Sequence, residues 1–331
     1  MPDPRLDVLC IGNAIVDVIA DTSDDFLRDE GLVKGSMRLI DADEAERLYA
    51  HMGPAHQVSG GSAGNTAAGV AALGGRAGFI GQVALDQLGS FYRHDLTSTG
   101  VEFTTAAFDV GEPTARSMIL VTPDGHRTMN TFLGAAQHLP KSALNDAQIR
   151  DSAILYLEGY LWDPETPRSA MVRAIEVARD AGRKVAFTLS DTFCVDRHRE
   201  GFNQLIDGGS IDILFANQAE IEALAGVAHL DSAVAAIAPK VEILVVTRSE
   251  DGALACRGNE QANVSAQPIQ ALVDTTGAGD LFAAGFLFGT ARGKSLEHSR
   301  RLGAICAAEV IQHYGARPEA DLRALTGDLL A

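Results

Sequence analysis

The sequence predicts an α/β fold in which a doubly wound, mostly parallel sheet is flanked by helices. Short apolar runs recur along the chain, helix-like segments separate them, and glycine-rich turns precede two of the helices. Strands that are buried on both faces of a parallel sheet consist of continuous apolar runs, and their alternation with helices favours right-handed crossovers. With 331 residues, the chain is long enough for one large domain or for two.

Six runs have the length and composition of buried strands. They are DVLCIG (7–12), AGFIG (77–81), AILYLEG (153–159), KVAFTLS (184–190), IDILFAN (211–217) and EILVVTR (242–248). The segment RSAMVRAIEVARDAG (168–182) is typical of the helices between them, and Gly182 is expected to cap its C-terminus. A further short helix is expected after Pro318.

Two regions, residues 13–44 and 103–132, do not fit the central sheet. Both contain short extended stretches that are polar on one face, and Pro123-Asp124-Gly125 indicates a hairpin turn. We therefore predict a small, discontinuous β-sheet that acts as a lid. The remaining residues, 1–12, 45–102 and 133–331, are predicted to form the large α/β domain.

Composition and charge argue against several classes of protein. The net charge of −17 is unfavourable for nucleic-acid binding, because phosphate backbones require clustered Lys and Arg. The apolar run at 281–291 is too short to span a bilayer, and the first ten residues do not have the pattern of a signal peptide. The four cysteines form no CxxC pair. We expect a cytoplasmic protein with reduced cysteines, a small-molecule ligand, and no nucleic-acid or membrane partner.

The stretch VDTTGAGDLFAAGFLFG, residues 273–289, predicts a site for an anion at the start of a helix. Gly277, Ala278 and Gly279 have almost no side chain, so a phosphate can approach their amides directly, helped by the helix dipole. Asp280 follows in the first turn, where it repels a phosphate but can accept the proton of a hydroxyl that attacks one. A Walker A loop does not explain the phosphate site, because Phe288 stands where GKS (293–295) would require a glycine.

A second glycine-rich stretch, SGGSAGNTAAGVAALGG at 59–75, predicts a helix with a small-residue face. Ser59 or Ser62 is expected to cap this helix, which should pack closely against a neighbouring strand or helix. Gly60 and Gly61 permit close approach of a ligand to the backbone, and the Asn65 amide can bind a ligand hydroxyl from the first turn. A purely structural Gly-Ser loop is the alternative interpretation of this stretch taken alone.

Polar residues also follow the first strand, in GNAIVDVIAD. Asn13 and Asp17 come after its carboxyl end, and open α/β sheets bind ligands at that edge. Asp17 can accept two hydrogen bonds from a vicinal diol. A polar loop residue without a ligand is the alternative for both positions.

Together, the two glycine-rich stretches resemble the paired signatures of the ribokinase-like (PfkB) kinases. FANQAEIEAL (215–224) is similar to a third motif of that family, Asn-x-x-Glu, at Asn217 and Glu220. The resemblance covers nearly the whole chain and implies a ribokinase-like α/β domain with a β-sheet lid. It also implies transfer of the γ-phosphoryl group of ATP to a hydroxymethyl group.

The resemblance implies roles for individual residues of the chain. Asp280 would be the general base, and residues 277–279 the anion hole. By the same resemblance, Asn217 and Glu220 would hold Mg²⁺ and the phosphates, partly through water. The hydroxyls of the acceptor would bind to Asp17, Gly60, Gly61 and Asn65, and the nucleotide to Thr247, Arg248 and Gly252. Asp274 and Thr276 would bind a monovalent cation such as K⁺, which many relatives use.

Within the family, three stretches look more like adenosine kinases than like sugar kinases. GNAIVDVIADTSDDFLRDEGLVKGSMRLID resembles their N-terminal segment, HRTMNTFLGAAQHL the segment in which a lid arginine, here Arg127, reaches the phosphates, and FTLSDTFCV the segment that presents an aromatic side chain, here Phe193, to the purine. Phe132, Trp162 and Met37 are further candidates for the purine slot, which requires a flat apolar surface.

The resemblance therefore implies phosphorylation of the 5′-hydroxyl of adenosine as part of purine salvage. One alternative is a kinase for ribose, fructose or 2-keto-3-deoxygluconate, and a second is a non-catalytic nucleoside or sugar sensor. The sequence is compatible with a monomer or a homodimer.

Overall fold

The structure is a computed structural model that describes residues 4–107, 109 and 111–330. Residues 1–3 and 331 of the predicted large domain, and residues 108 and 110 of the predicted lid, lie outside the described residues. The strands form two sheets, one of nine strands and one of five. In chain order they are β1 (Leu6–Ile11), β2 (Ile15–Asp21), β3 (Met37–Leu39), β4 (His56–Ser59), β5 (Ala77–Ile80), β6 (Glu102–Phe103), β7 (Ala115–Val121), β8 (Arg127–Phe132), β9 (Ser152–Glu158), β10 (Lys184–Thr188), β11 (Ile213–Asn217), β12 (Ile243–Thr247), β13 (Ala253–Arg257) and β14 (Glu260–Val264).

Helices connect these strands and cover both faces of the larger sheet. They are α1 (Asp24–Asp29), α2 (Ala42–His51), α3 (Ser62–Ala72), α4 (Gln87–Ser98), α5 (Asp146–Arg150), α6 (Glu165–Asp180), α7 (Thr192–Asp207), α8 (Gln218–Ala225), α9 (Leu230–Ile237), α10 (Ala278–Ala291), α11 (Leu296–Val310), α12 (Leu322–Leu325) and α13 (Gly327–Leu330). Among the described residues, no single helix is long and apolar enough to cross a membrane, and one bent pair, residues 218–225 with 230–240, meets the criteria of length and composition only when both parts are taken together.

The larger sheet is parallel except at one edge. Its strand order is β14-β13-β12-β11-β10-β9-β1-β5-β6, and all neighbours from β12 to β6 pair in parallel, whereas β13 and β14 run antiparallel. All six apolar runs of the sequence form strands of its parallel part. Their side chains pack on two faces, which form two separate clusters of buried apolar residues. The predicted α/β fold class is therefore confirmed.

The smaller sheet has the strand order β3-β8-β7-β2-β4. β7 and β8 form an antiparallel pair joined by the predicted turn at 123–125. This sheet contains one strand that was not predicted to belong to the lid. The strand is β4, residues 56–59, which pairs antiparallel with β2 but lies in the range predicted for the large domain. Only two residues, Gly60 and Gly61, separate β4 from α3, so this sheet is connected directly to a helix of the large domain.

The small-residue face of α3 packs closely against α10. A Cβ atom at Gly69 would lie 2.7 Å from both the Cβ of Ala284 and a methyl group of Leu281, so no larger residue fits at this crossing. The Thr66 hydroxyl of α3 lies 3.2 Å from the carbonyl oxygen of Asp280 and donates to it. The two glycine-rich stretches of the sequence, more than 200 residues apart, thus place the starts of their helices side by side.

Candidate active site

The site lies at the carboxyl edge of the larger sheet, where the strand order reverses. From β1 the chain builds the sheet towards β5 and β6 on one side and towards β9 and β10 on the other. Ligands of open α/β sheets bind in the crevice at such a switch point. Here the ends of β1 and β9 are joined directly, because the Asn13 backbone amide and its side-chain amide both donate to Glu158 at 2.7 Å.

Asp280 is held by two donors from α3. The Ser62 hydroxyl donates to one carboxylate oxygen at 2.6 Å, and the Asn65 amide donates to the other at 2.8 Å. Burial raises the pKa of Asp280 above its ordinary value, and these two hydrogen bonds together with the charge of Arg317 oppose that rise. Each oxygen keeps a further lone pair, so the carboxylate can accept a proton from an alcohol.

The start of α10 presents free backbone amides. Gly277 is the N-cap residue, has a left-handed conformation with φ of 78°, and provides no side-chain cap. Among the described residues, no acceptor binds the amides of Gly277, Gly279 and Asp280. The Ala278 amide was predicted to face the anion, but it donates to the Thr275 carbonyl at 3.2 Å and closes the turn. Three convergent amides at a helix N-terminus fit a phosphate group.

Gly277 and Gly279 tolerate side chains differently. A Cβ at Gly277 would lie 2.5 Å from the Cβ of Ala316, in addition to the unfavourable positive φ. A Cβ at Gly279 would meet nothing within 4 Å, so the backbone there faces open space that a ligand can occupy. Gly277 thus shapes the turn, and Gly279 leaves the approach to the amides free.

Helix α3 is not capped by a serine, contrary to the expectation from the sequence. Its N-cap residue is Gly61, without a side-chain cap, and neither Ser59 nor Ser62 caps the helix. Ser62 is already helical, so its hydroxyl is free to bind Asp280. The Oδ1 atom of Asn65 is buried and has no hydrogen-bond partner among the described residues, which leaves an acceptor available to a ligand hydroxyl.

Asp17 lies on β2 and packs against Gly60. A Cβ at Gly60 would come within 2.3 Å of its carboxylate, so only glycine allows this close approach. No donor among the described residues forms a hydrogen bond with the carboxylate of Asp17. Burial raises the pKa of Asp17 to about 7, the charges of Arg317 and Arg127 lower it, and those of Asp280 and Asp274 raise it. These shifts agree with a carboxylate at the centre of a charged pocket, with both oxygens available to a diol.

Glu158 and Arg317 organise the site, although the sequence did not identify them. Glu158 is fully buried and accepts hydrogen bonds from Asn13 and from the Ala63 amide, the latter at 2.8 Å, while burial raises its pKa to about 7. Arg317 donates to the Gly64 carbonyl at 3.0 Å and to the Ser59 hydroxyl at 2.9 Å, so it links the end of β4 to α3. A charged residue at the end of the apolar run ILYLE was the available signal for Glu158.

Arg127 extends from β8 of the smaller sheet to the loop before α10. It forms an ion pair with Asp274, and its Nη1 atom donates to the Thr276 hydroxyl at 2.9 Å. The guanidinium also lies over the Tyr314 ring, 5.6 Å from the ring centroid. The predicted monovalent-cation ligands Asp274 and Thr276 therefore bind an arginine in this structure.

Asn217 and Glu220 bind each other at the start of α8. Asn217 accepts from the Glu220 amide at 2.8 Å, and the Glu220 carboxylate accepts from the Asn217 backbone amide at 2.9 Å and from its side chain at 2.6 Å, which is a capping box. Burial raises the pKa of Glu220 to about 7. Its remaining lone pairs suit water molecules of a hydrated Mg²⁺ better than direct coordination. The described residues contain no group of three or more His, Cys, Asp or Glu side chains that could hold a metal by themselves.

The predicted nucleotide residues form the connection between β12 and β13. Thr247 ends β12 and is paired with Asn217 of β11, so both lie at the carboxyl edge. The Arg248 amide donates to the Gly252 carbonyl at 2.7 Å, and the Arg248 guanidinium donates to the Asp251 carbonyl at 2.9 Å. Gly252 has a φ of 81°. In this structure the contacts of Arg248 and Gly252 shape the turn.

The four aromatic and apolar candidates for a purine slot fall into two classes. Phe193 in the first turn of α7 is 70% exposed, and Met37 on β3 is 49% exposed. Trp162 and Phe132 are only 6% exposed, and each belongs to a core cluster. Their rings are used in packing in this structure, Trp162 against Phe202 with the two rings roughly perpendicular, and their role in a purine slot stays a prediction. Phe193 and Met37 remain available to a ligand.

The chain is similar to known kinases over most of its length. A family model described as pfkB family carbohydrate kinase matches residues 5–322. A solved adenosine kinase from Sinorhizobium meliloti is 50% identical, with 98% of this chain and 99% of that chain covered and a TM-score of 0.91. A probable sugar kinase protein from Rhizobium etli CFN 42 is 47% identical, with 98% of each chain covered and a TM-score of 0.92. Fructokinase-1 from Oryza sativa subsp. japonica is 28% identical over 78% of this chain and 84% of its own length.

The family model matches most of the chain. Membership implies ATP as the phosphoryl donor and usually Mg²⁺. An activated hydroxyl beside Asp280 and a phosphoryl group at the α10 amides would complete the reaction. The chain belongs to the pfkB family of carbohydrate kinases and is a phosphotransferase with an alcohol group as acceptor.

Proposed function

We propose that this kinase transfers the γ-phosphoryl group of ATP to the 5′-hydroxyl of adenosine, giving AMP and ADP, as in purine salvage. The observation that carries the proposal is the 50% identity with the Sinorhizobium meliloti adenosine kinase over nearly all of both chains. Identity with the rice fructokinase is 28% over a smaller part of this chain. The presence of a held carboxylate, Asp280, beside free amides argues against a sensor without catalytic activity.

The geometry is compatible with a nucleoside. Asp17 and the Oδ1 atom of Asn65 have no hydrogen-bond donor among the described residues, so they are available to the vicinal hydroxyls of a ribose. The Tyr160 hydroxyl, just after the end of β9, donates to the Ser190 carbonyl at 3.3 Å, and the next residue, Asp191, is the N-cap residue of α7, so the end of β9 and the start of α7 are in contact. Phe193 follows Asp191 by two residues and offers an exposed ring for the adenine.

The mechanism follows from the roles of these groups. Asp17 would orient the ribose, and the 5′-hydroxyl would donate its proton to the Asp280 carboxylate late in a loose transition state. The amides of Gly277, Gly279 and Asp280 would face the charge that develops on the transferred phosphoryl oxygens. Asn217 and Glu220 would hold hydrated Mg²⁺, which neutralises charge on the nucleotide phosphates when it is bound. Most of the rate acceleration would therefore come from positioning and electrostatics.

The acceptor can be identified by ADP release with MgATP and adenosine, inosine, ribose, fructose or 2-keto-3-deoxygluconate. We expect kcat/KM for adenosine to exceed that for each free sugar by about tenfold or more, because a site that matches a whole nucleoside loses binding energy with a fragment. ³¹P NMR of the product should show a 5′-phosphate. Rapid turnover of a free sugar with no turnover of adenosine would refute the proposal.

A free-sugar kinase is the second candidate, favoured by the similarity to fructokinase-1 and by the loss of Trp162 and Phe132 to the core. Phe193→Ala distinguishes the two. If adenine stacks on this ring, KM for adenosine rises about 2- to 10-fold, while kinetics with a sugar acceptor stay constant. Tyr49→Ala is the matched control, because Tyr49 is an exposed aromatic residue of α2 that packs against Arg116.

A further inference from the structure

The ligands predicted for a monovalent cation are engaged by a side chain of the protein itself. The Asp274 and Arg127 side chains are only 2% and 9% exposed, and they form an ion pair. The other contacts of Asp274 are with backbone amides: Oδ1 accepts from Thr276 at 3.0 Å, and Oδ2 accepts from Gly315 at 2.9 Å. The Thr276 hydroxyl accepts from Arg127.

These contacts do not fit an additional cation. A monovalent cation at Asp274 and Thr276 would lie next to a guanidinium in a buried setting, where like charges repel strongly. Both oxygens of Asp274 and the hydroxyl of Thr276 already have partners. The residues present therefore fit one positive charge at this position, and Arg127 provides it.

We propose that Arg127 takes the place of a monovalent cation in this kinase, so that catalysis requires no K⁺. Asp274 precedes the free amides of α10 by a few residues, and without a counter-charge it would oppose the arrival of a phosphoryl group. Arg127 neutralises Asp274, and through Thr276 and Asp274 it orders the turn that leads to Gly277. It acts as a positioning residue, because its contacts are with this loop.

The same contact couples the two sheets. Arg127 belongs to β8 of the smaller sheet, and Thr276 lies 149 residues further along the chain, in the loop before α10. A bound ion would neutralise Asp274 wherever the smaller sheet stood, whereas Arg127 does so only when β8 lies over the loop. In this arrangement the amides at the start of α10 have their full positive potential only when the smaller sheet covers the site. This limits transfer of the phosphoryl group to water.

The test compares the wild type with Arg127→Ala in KCl and in tetramethylammonium chloride at equal ionic strength, using an acceptor that the wild type phosphorylates. We expect equal wild-type rates in the two salts. Arg127→Ala should lose about tenfold or more in tetramethylammonium chloride, because a charge-assisted partner of a buried carboxylate is gone, and should recover activity in KCl. Arg116→Ala is the control: Arg116 is also a buried arginine of the smaller sheet, on β7, but pairs with Glu46. It should not respond to K⁺.

A second readout does not depend on turnover. KCl should raise the melting temperature of Arg127→Ala, and of Arg127→Gln if the alanine variant folds poorly, relative to tetramethylammonium chloride, whereas the wild type should melt at the same temperature in both. Strong stimulation of the wild type by K⁺ would overturn the inference. So would a loss of activity in Arg127→Ala that no alkali cation restores, a result that favours direct contact of Arg127 with the phosphates. The inference is independent of whether adenosine or a sugar is the acceptor, so failure of one proposal leaves the other intact.

Discussion

Helices α8 and α10 begin with the same arrangement and use it in opposite ways. Each has an acidic residue at the third helical position, Glu220 in α8 and Asp280 in α10. In α8 the N-cap residue is Asn217, and its side chain and Glu220 satisfy each other. In α10 the N-cap residue is Gly277, without a side chain, and Asp280 binds Ser62 and Asn65 of α3 instead.

The comparison shows how one local pattern serves either stability or chemistry. A side-chain cap satisfies the free amides of a helix start and contributes to folding. A glycine leaves them unsatisfied, which is unfavourable without a ligand but makes a site for an anion. The acidic residues differ in the same way. Glu220 binds the N-cap residue of its own helix, whereas Asp280 binds side chains of the neighbouring helix α3.

Asp280→Asn should have the largest effect. The amide cannot accept the hydroxyl proton, so kcat should fall by about 10²- to 10⁴-fold, as expected for loss of a general base. Glu297→Gln is the control, because Glu297 is an exposed acidic residue in the first turn of α11. Thermal melting should show that both variants fold. Full activity of Asp280→Asn would remove the distinction between the two helix starts.

Alanine substitutions at Gly279 and Gly277 should separate ligand approach from backbone shape. Gly279→Ala has room for its methyl group and should melt like the wild type, yet lose about 10- to 100-fold in kcat/KM for ATP, because the phosphoryl group is displaced from the amides. Gly277→Ala should also lower the melting temperature, since a left-handed alanine costs about 1–2 kcal/mol before its clash with Ala316 is counted. Normal activity of Gly279→Ala would show that phosphate does not approach the α10 amides.

Asp17 should impose a pH dependence on acceptor binding. Its pKa of about 7 means that the carboxyl group is protonated below that pH and ionised above it, and only the ionised form accepts both hydroxyls of a diol. KM for the acceptor should therefore fall between about pH 6 and about pH 8, and Asp17→Asn should remove this dependence and raise KM about 10- to 100-fold.

The raised pKa of Asp17 also affects folding: its contribution to the free energy of unfolding falls with rising pH, whereas acceptor binding improves. A carboxyl group with a raised pKa binds its proton more tightly in the folded state, so its contribution to the free energy of unfolding is fully present below about pH 4 and is lost as the pH rises through about 7. Asp17→Asn should flatten this part of the stability profile. A KM that is constant with pH in the wild type would contradict the assignment of Asp17 to the diol.

Asn217→Ala should have the smallest effect on catalysis and a clear effect on folding. Loss of the cap should lower the free energy of unfolding by about 0.5–2 kcal/mol. Because the substitution also releases Glu220, the Mg²⁺ concentration for half-maximal rate should rise modestly. Asp41→Ala removes the equivalent cap of α2, where Asp41 accepts from the Glu44 amide at 2.8 Å, and should reduce stability alone. Equal Mg²⁺ dependence in the two variants would leave Asn217 and Glu220 with only a structural role.

The sequence was sufficient for those features that local physics produces. Strands buried on both faces must be apolar throughout, so all six apolar runs could be identified as strands of one sheet. Glycines before an acidic residue and an apolar helix have few structural explanations, which is why the sequence predicts a phosphate site at residues 277–280, and the structure shows a glycine N-cap without a side-chain cap there. The helix at 62–72 was predicted to pack closely because its residues are small, and α10 proved to be its neighbour.

The tertiary structure decided which distant residues meet. Glu158 binds Asn13 across 145 residues of chain, Arg317 binds Ser59 across 258, and Arg127 binds Thr276 across 149. Ser62 looks like an ordinary cap residue in the sequence, and Trp162 looks like a possible ligand-binding aromatic. Nothing local distinguishes these roles, because a polar or aromatic side chain acquires its partner only when sheet order and helix packing are fixed. The sequence by itself determined the strands and the glycine turn before α10, whereas the partners of each charged group were determined by packing.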